Sequence, residues 1–194
     1  KSAREGFSRD NFYCYNKEIV APYDGYVYDI INTVEENDIG EIDTEHNWGN
    51  TIIINHLNGL FSQISHVKKD SFAVFIGQYV TKGTYLATCG NSGRSPEPHI
   101  HFQLQTAPII GAQTLEYPIS YFIERIGIEK KLRIAQVPKE NSFISNVQVN
   151  ELLVVGFSFL PGQKVVFKNE RTEALINWEV FTDAYNRTYI YCKE

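Results

Sequence analysis

Short apolar runs alternate with turn signals along the first half of the chain. From Ile19 to Gln105 these runs recur about every ten residues, which is the spacing of strands in an antiparallel β domain. Residues 19–22 lead into a turn at Tyr23-Asp24-Gly25, because an Asp-Gly pair tolerates the positive φ of a tight turn. The pattern therefore predicts strands at residues 26–31, 51–54, 60–66, 80–88 and 99–105.

The segment 118–126 has a different spacing. Its apolar residues recur at helical intervals, a proline opens it and Gly127 follows it, which predicts a short helix. Further apolar runs at 132–135, 152–159, 165–168, 176–181 and 188–192 predict a second β-rich unit. The sequence thus predicts a mainly β protein: a flexible lead-in at 1–11, a twisted antiparallel sheet domain with one short helix at 12–127, and a small β-rich C-terminal module at 128–194.

Composition narrows the class of protein. The chain has 194 residues, of which 43% are hydrophobic and 21% charged, so it can bury a core and is not disordered as a whole. Its formal net charge of -5 argues against a nucleic-acid partner. No apolar run approaches the roughly 18 residues of a spanning helix, which predicts no membrane contact by this chain itself. The chain lacks Met and opens at Lys1, so we expect a piece of a longer protein without its N-terminal address.

The histidines carry the candidate chemistry, because all five lie in the first half of the chain or just beyond it. His99 and His101 share one face of the last predicted strand, while Ile100 and Phe102 are expected to face the core. Two imidazoles side by side on a strand are a natural start for a zinc site. The same His-x-His spacing also occurs on ordinary strands. The loop at 90–98 leads directly into this pair of histidines, and its glycines and prolines predict a tight turn of fixed conformation.

The residues around this pair are similar to a known family. The run GNSGRSPEPHIHFQLQ at 90–105 closely resembles the C-terminal signature of the lysostaphin-like, LytM-type zinc endopeptidases, which have the duplicated-hybrid-motif fold. Four more blocks follow the family's order: APYDGYV at 21–27, GNTIIINH at 49–56, FSQISH at 61–66 and GQYVTKGTYL at 77–86. The resemblance covers residues 12–124 and says nothing about residues 129–194.

The resemblance implies a function and a site. In this family a His, an Asp and the second His of His-x-His hold zinc, while two further histidines assist at the bound water and the developing oxyanion. Carried onto this chain, His101 would be a zinc ligand, and His66 and His99 the catalytic pair. The implied activity is zinc-dependent hydrolysis of peptidoglycan cross-bridge peptides in the bacterial cell envelope or periplasm. Zinc with an open position activates water as a nucleophile near neutral pH.

One part of the family pattern is missing. The first His and the Asp come from a His-x-x-x-Asp motif, which would place them near residues 6–7 and 10–11. Asp10 is therefore a candidate metal ligand, but no histidine precedes His46. Either the chain is a catalytically degenerate module that binds cell wall or a partner protein in the envelope, or the missing ligands lie upstream of Lys1.

A further likeness favours the second explanation. The chain resembles a variant branch of the family that is sometimes joined to urea-transporter homologues in bacteria. In that branch a His-x-x-Asp-Phe-like motif precedes an insertion that ends in a segment comparable to FYCYN at residues 12–16.

The remaining polar residues have less specific interpretations. His56 follows a predicted strand, so we expect it to make a hydrogen bond at the strand end, and we expect His46 to be solvated. Arg94 and Glu97 border the paired histidines, where they either contact substrate or are ordinary surface charges. We expect His66, His99 and His101 to converge on one concave face of the sheet.

Overall fold

The computed structural model describes residues 8–148, 150, 152, 156, 158–184 and 188–193. The chain divides into two compact units between Tyr117 and Pro118, and all of its histidines belong to the first unit. The described strands pair antiparallel in both units, which confirms the predicted mainly β class. Within the described part of the chain we find no helix with the length and apolar content needed to cross a membrane.

The first unit is built around a five-stranded antiparallel sheet. A short 3₁₀ helix, Arg9–Asn11, precedes its strands, which are β1 (Glu18–Val20), β2 (Gly25–Ile31), β3 (Asn50–Asn55), β4 (Phe61–Val67), β5 (Tyr79–Val80), β6 (Tyr85–Thr88) and β7 (His101–Gln105). The sheet has the order β5-β2-β3-β4-β7, and β1 pairs separately with β6. The predicted strand at 80–88 is thus two strands, because the turn at Lys82-Gly83 separates β5 from β6.

This sheet buries an apolar face and a polar face. The apolar face forms the core, which includes Ile52, Ile54, Ile64, Val67 and Leu86. Strand alternation places the neighbouring side chains on the other face, where several residues are polar yet buried: Thr51, Gln63, Ser65, Gln103 and Gln105. The segment 106–114 covers that polar face, since the Gly111 N–H donates to Oε1 of Gln63 at 2.8 Å.

Strand β7 is shorter than predicted. It begins at His101, so His99 and Ile100 lie before the strand, although Ile100 packs against the core as expected. Phe102 lies opposite Ile64 on the core side of the sheet, as expected, but its side chain is 37% exposed and contacts the ring of Tyr117. The reason is that β7 is the edge strand of the sheet, where fewer elements cover the core side.

The second unit contains two three-stranded sheets. The first consists of β8 (Ile119–Ile126), β9 (Glu129–Gln136) and β10 (Phe143–Ser145), in the order β10-β8-β9. The second consists of β11 (Lys164–Lys168), β12 (Leu175–Thr182) and β13 (Thr188–Lys193), in chain order. The strands predicted at 132–135, 165–168, 176–181 and 188–192 are confirmed.

The predicted helix at 118–126 is wrong, because Ile119–Ile126 form strand β8. Its apolar residues have helical spacing, but they are β-branched or aromatic, and such residues pack well on a sheet. Gly127, with φ 61°, opens a two-residue turn that pairs Ile126 with Glu129 of β9. A domain boundary after Gly127 would cut this hairpin, so the second unit begins with β8.

Two other predicted segments fall partly outside the described residues. The strand predicted at 152–159 is wrong at Leu152 and Gly156, whose backbone is helical, while residues 151, 153–155 and 157 are not among the described ones. Of the predicted lead-in, residues 1–7 are likewise outside the described part. Of its remaining residues, Ser8 caps the 3₁₀ helix Arg9–Asn11, in which Arg9 lies 3.7 Å from the carboxylate of Glu36.

Two loops of the first unit approach each other backbone to backbone, and glycines permit this approach. Gly49 and Gly93 both have left-handed backbone, with φ values of 61° and 78°. A Cβ on Gly93 would overlap backbone atoms of Gly49 and His46, and a Cβ on Gly49 would overlap Ser92. One loop carries Trp48 and the other leads toward the paired histidines, so this contact positions both parts of the candidate site.

Gly93→Ala should therefore destabilise the first unit more than Gly77→Ala. Gly77 is also left-handed, at φ 89°, but a Cβ there would meet no atom within 4 Å. Left-handed backbone alone costs a non-glycine residue about 1–2 kcal/mol, and the overlap at Gly93 adds to that loss. Urea unfolding followed by Trp48 fluorescence in a Trp178→Phe background measures the difference. Equal losses in the two variants would contradict the close approach.

Candidate active site

A β-bulge in β4 aims the side chain of His66. The pairing of β4 with β3 shifts by one residue after Ser65, so His66 is the extra residue before Val67. Its backbone is left-handed, at φ 64°, which is uncommon for a residue other than glycine. Regular alternation would place Ser65 instead of His66 on the face of His101, because Ser65 pairs directly with His101. The bulge therefore brings His66 to that face and returns Val67 to the core.

The three predicted site histidines lie together, which confirms the expected convergence. The ring centre of His66 is 4.6 Å from that of His99 and 6.4 Å from that of His101. The side chain of His66 is buried, that of His101 is half-buried, and that of His99 is exposed. One face of the site is thus open to solvent while its base is enclosed.

His66 and His99 each donate one ring N–H to a backbone carbonyl. Nδ1 of His66 lies 2.8 Å from the carbonyl oxygen of Ser92, and Nδ1 of His99 lies 2.8 Å from that of Glu97. A carbonyl oxygen only accepts, so both Nδ1 atoms must carry the proton in the neutral rings. Nε2 of each ring therefore keeps its lone pair, and no hydrogen bond among the described residues uses it.

His101 has the opposite tautomer. Its Nε2 lies 2.8 Å from Oε1 of Gln103, which leaves the lone pair on Nδ1. The ring centre of His101 also lies 4.8 Å from that of Trp48, in an edge-on contact. The site consequently presents lone pairs on His66 Nε2, His99 Nε2 and His101 Nδ1.

The loop before His99 is held by a chain of hydrogen bonds. Oγ of Ser95 lies 3.0 Å from Nδ1 of His99 and donates to Oδ1 of Asn91 at 2.8 Å. The Asn91 N–H donates to Oε1 of Glu36 at 2.8 Å, and Tyr15 donates its hydroxyl proton to Oε2 of the same carboxylate. The exposed His99 ring is therefore fixed by its loop and not by a strand.

Burial lowers the pKa of His66 to about 4, because an imidazolium there would lose its hydration. The hydrogen bond to the Ser92 carbonyl opposes this shift, and positive charge on His99 or His101 would add to it. His66 is therefore neutral at neutral pH, with its Nε2 lone pair available.

A pocket of about 300 Å³ opens beside His66 and is lined also by Asn47, Trp48 and Arg94. Arg94 was predicted to border the site, whereas sequence reasoning missed Asn47 and Trp48. The sequence does contain a feature that marks Asn47 and Trp48: they directly precede Gly49, one of the two glycines at which the loops approach backbone to backbone. The side chain of Glu97 is exposed, and its contact with His99 is made by its backbone carbonyl.

The other two histidines lie apart from this group. His56 bridges the carbonyl oxygen of Asp24 and Oγ of Ser62, both at 2.8 Å, which is the predicted hydrogen-bonding role. His46 is exposed, and its Nδ1 lies 2.8 Å from a carboxylate oxygen of Asp43.

The described residues do not by themselves fit a resident zinc ion. Among them, no group of three or more His, Cys, Asp or Glu side chains is arranged to hold a metal. Asp10 is exposed in the 3₁₀ helix, where its N–H donates to Oγ of Ser8 at 3.4 Å, and it belongs to no such group. His101 Nδ1 is a suitable ligand atom, but a zinc centre needs about three protein ligands.

Comparison with protein families gives one match. Residues 10–112, more than half of the chain, match the model of peptidase family M23. The comparison with curated proteins gave no match. None of these findings bears on the likeness to the branch joined to urea-transporter homologues, which stays a prediction.

Solved structures of such peptidases align with parts of the chain. A structure of peptidase M23 from Pseudomonas aeruginosa is 27% identical with a TM-score of 0.37, over 46% of this chain and 34% of its own. The catalytic domain of lysostaphin from Staphylococcus simulans is 24% identical with a TM-score of 0.40, over 53% of this chain and 70% of its own. Lysostaphin itself is 15% identical with a TM-score of 0.38, over 93% and 79%. The chain thus spans about a third of the Pseudomonas structure.

The folded chain should lose stability as the pH falls from about 6.5 to about 4. In this window an unfolded His66 binds a proton that the folded His66, with its pKa of about 4, does not bind. The free energy of unfolding should fall by up to about 3 kcal/mol, less whatever solvent screening removes. Urea unfolding of wild type and His66→Gln in chelator measures the difference. The same pH dependence in both proteins would contradict the effect of burial.

The chain should bind zinc weakly or not at all by itself. The reason is the missing three-ligand group among the described residues. Calorimetric titration of the chain with zinc tests this, with His101→Ala as the control. Tight one-to-one binding that disappears in His101→Ala would show that another residue completes the site.

Proposed function

Because the chain belongs to peptidase family M23, we propose that it is the hydrolase domain of a zinc-dependent endopeptidase that cleaves peptidoglycan cross-bridge peptides. Zinc would supply the activated water of such a reaction. His101 would be this chain's ligand for it, and the ion would need further ligands beyond the described residues, because these contain no three-ligand group. The proposed place of action is the bacterial cell envelope, where the substrate lies.

This proposal rests on one observation: Nε2 of His66 and Nε2 of His99 each present a lone pair to the site. The two rings are 4.6 Å apart, and each presents Nε2 because Nδ1 is fixed by a backbone carbonyl. Hydrolysis of a peptide bond removes a proton from water and delivers one to the departing amine. A positioned imidazole performs either transfer, with Nε2 as the exchanging atom.

The two imidazoles differ in burial, and this difference assigns them different roles. His66 is neutral at neutral pH, because burial lowers its pKa to about 4, so it holds a lone pair and does not carry the proton. His99 is exposed to solvent, and its Nε2 lone pair is open to accept the proton of the attacking water and pass it on. We therefore assign proton delivery to His99, and to His66 the orientation of the attacking water, whose O–H the Nε2 lone pair of His66 accepts.

The pocket beside His66 is suited to a peptide segment. At about 300 Å³ it is of the size of a small ligand site, and it is open on one side. Its described lining residues offer an amide from Asn47, an aromatic face from Trp48 and a cation from Arg94, and none of them is acidic. Such a lining favours peptide carbonyl groups or a peptide carboxylate.

A second candidate function is a binding module without catalysis. It is favoured by one observation, the lack of a three-ligand metal group among the described residues. In that case the same pocket would hold a cell-wall peptide or an envelope partner, with the imidazole lone pairs accepting peptide N–H groups.

The protein, expressed with the natural sequence that flanks this chain, should cleave peptidoglycan peptides in a chelator-sensitive reaction. His66→Ala and His99→Ala should each lower turnover by about 10²–10⁴-fold, the effect of a general acid–base group, while bound zinc is retained. His101→Ala should remove zinc and activity together. Metal analysis and peptide cleavage assays, read side by side, separate the two kinds of variant.

The matched control is His46→Ala, because His46 is exposed and pairs only with Asp43 among the described contacts. This variant should keep zinc content and turnover. Wild-type activity in His99→Ala would contradict the assigned role. A zinc-loaded protein that binds cell-wall peptides but cleaves none of them would favour the binding module instead.

A further inference from the structure

The side-chain amide of Gln103 has only one orientation that satisfies its surroundings. One end of the amide lies 2.8 Å from the carbonyl oxygen of Ala112, which can only accept, so that end is Nε2. The other end, Oε1, then faces Nε2 of His101 at 2.8 Å and also accepts from Oγ1 of Thr114 at 3.3 Å. Gln103 is 1% exposed, so water does not offer an alternative partner.

Gln105 strengthens this orientation from the next position on the same face. Its Nε2 donates to the carbonyl oxygens of Ala107 at 2.7 Å and Ile109 at 3.0 Å, so its Oε1 must point the other way. That oxygen accepts from Nε2 of Gln103 at 2.6 Å. Gln105 is fully buried. Three backbone carbonyls of the segment 106–114 thus orient two amides in series.

We propose that Gln103 and Gln105 are positioning residues that form a relay, defined as the hydrogen-bond chain from the carbonyls of 107, 109 and 112 to the His101 ring. The relay holds His101 in the tautomer with the proton on Nε2 and the lone pair on Nδ1. It acts through His101 and makes no contact with substrate. The use of this lone pair rests on the proposed function, whereas the tautomer itself does not.

The relay determines which His101 nitrogen can bind an electrophile or a metal. With the proton on Nδ1, the ring would direct an N–H into the site and would turn a lone pair toward the lone pair of Gln103 Oε1. That arrangement breaks a hydrogen bond and leaves the amide oxygen of the buried Gln103 facing another acceptor, which is unfavourable. The backbone of 106–114 therefore sets the chemistry of the His101 ring through the two intervening amides.

The test is the ¹⁵N NMR spectrum of the His101 imidazole in chelated protein, at a pH where the ring is neutral. Wild type should show the Nε2–H tautomer with a slowly exchanging Hε2 proton. Gln103→Met removes the acceptor at similar size, so this Hε2 signal should be lost and the Nδ1–H form should become detectable. Gln103→Glu keeps an acceptor toward His101 and should retain the wild-type tautomer.

The two variants separate positioning from mere packing. A carboxylate at 103 faces the acceptors Ala112 O and Gln105 Oε1, so Gln103→Glu should unfold at a lower urea concentration than Gln103→Met. If Gln103 had only a packing role, the variant that loses more stability should also lose more of the His101 Nε2–H tautomer. The relay predicts the reverse order, with the less stable Gln103→Glu keeping the tautomer. A wild-type Nδ1–H form, an unchanged tautomer in Gln103→Met, or its loss in Gln103→Glu would each overturn the relay.

Gln105→Met is the second variant, which tests the relay where Gln103→Met does not fold. It leaves the Ala112 bond in place, so Hε2 of His101 should exchange faster than in wild type but remain in the same tautomer. Unchanged exchange would exclude Gln105 from the relay. In the cleavage assay Gln103→Met should lower activity or metal affinity by about 10–100-fold, as loss of a partner of a metal-binding His does. If the wild-type protein cleaves no peptide, the proposed function fails. The relay is then tested by the ¹⁵N NMR spectra of His101 alone.

Discussion

The pairing of β4 with β7 is the interaction on which the candidate site depends. It joins segments that are distant in sequence and sets Ser65 opposite His101 and Gln63 opposite Gln103. A slip of one residue would move every side chain of β7 to the other face of the sheet, which would send His101 into the core. The bulge at His66 follows directly on this pairing, so the position of that ring depends on the same register.

This register buries a row of amides and hydroxyls, which is unfavourable unless each finds a partner. Among the described residues, every buried side-chain nitrogen or oxygen has one. On this face the partners include backbone groups of the segment 106–114, whose conformation is therefore fixed by the amides it satisfies. The bonds of Gln103 and Gln105 to this segment stabilise the covered face, and the same Gln103 amide accepts from the ring of His101.

Features that depend on local spacing could be predicted from the sequence, and features that depend on non-local pairing could not. Alternation and turn residues located the strands of the first unit, and motif order brought three histidines together. Alternation could not reveal the bulge, without which His66 would face away from His101. It also placed His99 on a strand, whereas a Glu97 carbonyl holds that ring. The helix predicted at 118–126 failed similarly, because pairing with β9 outweighs helical spacing among β-branched residues.

The arrangement of protons in the site limits what it can do. Each of the three imidazoles donates its N–H to a fixed acceptor in the protein, so the rings present lone pairs to the site and no N–H donors. Burial of His66 keeps it neutral, which removes a positive charge that would repel a metal ion. The lone pairs of the three rings attract a cation, a water proton or a peptide N–H. Peptide hydrolysis uses all three of these interactions, whereas binding of a peptide needs only the last. The difference between a peptidase and a binding module on this framework thus lies in the ligands that join His101, and not in the fold that positions it.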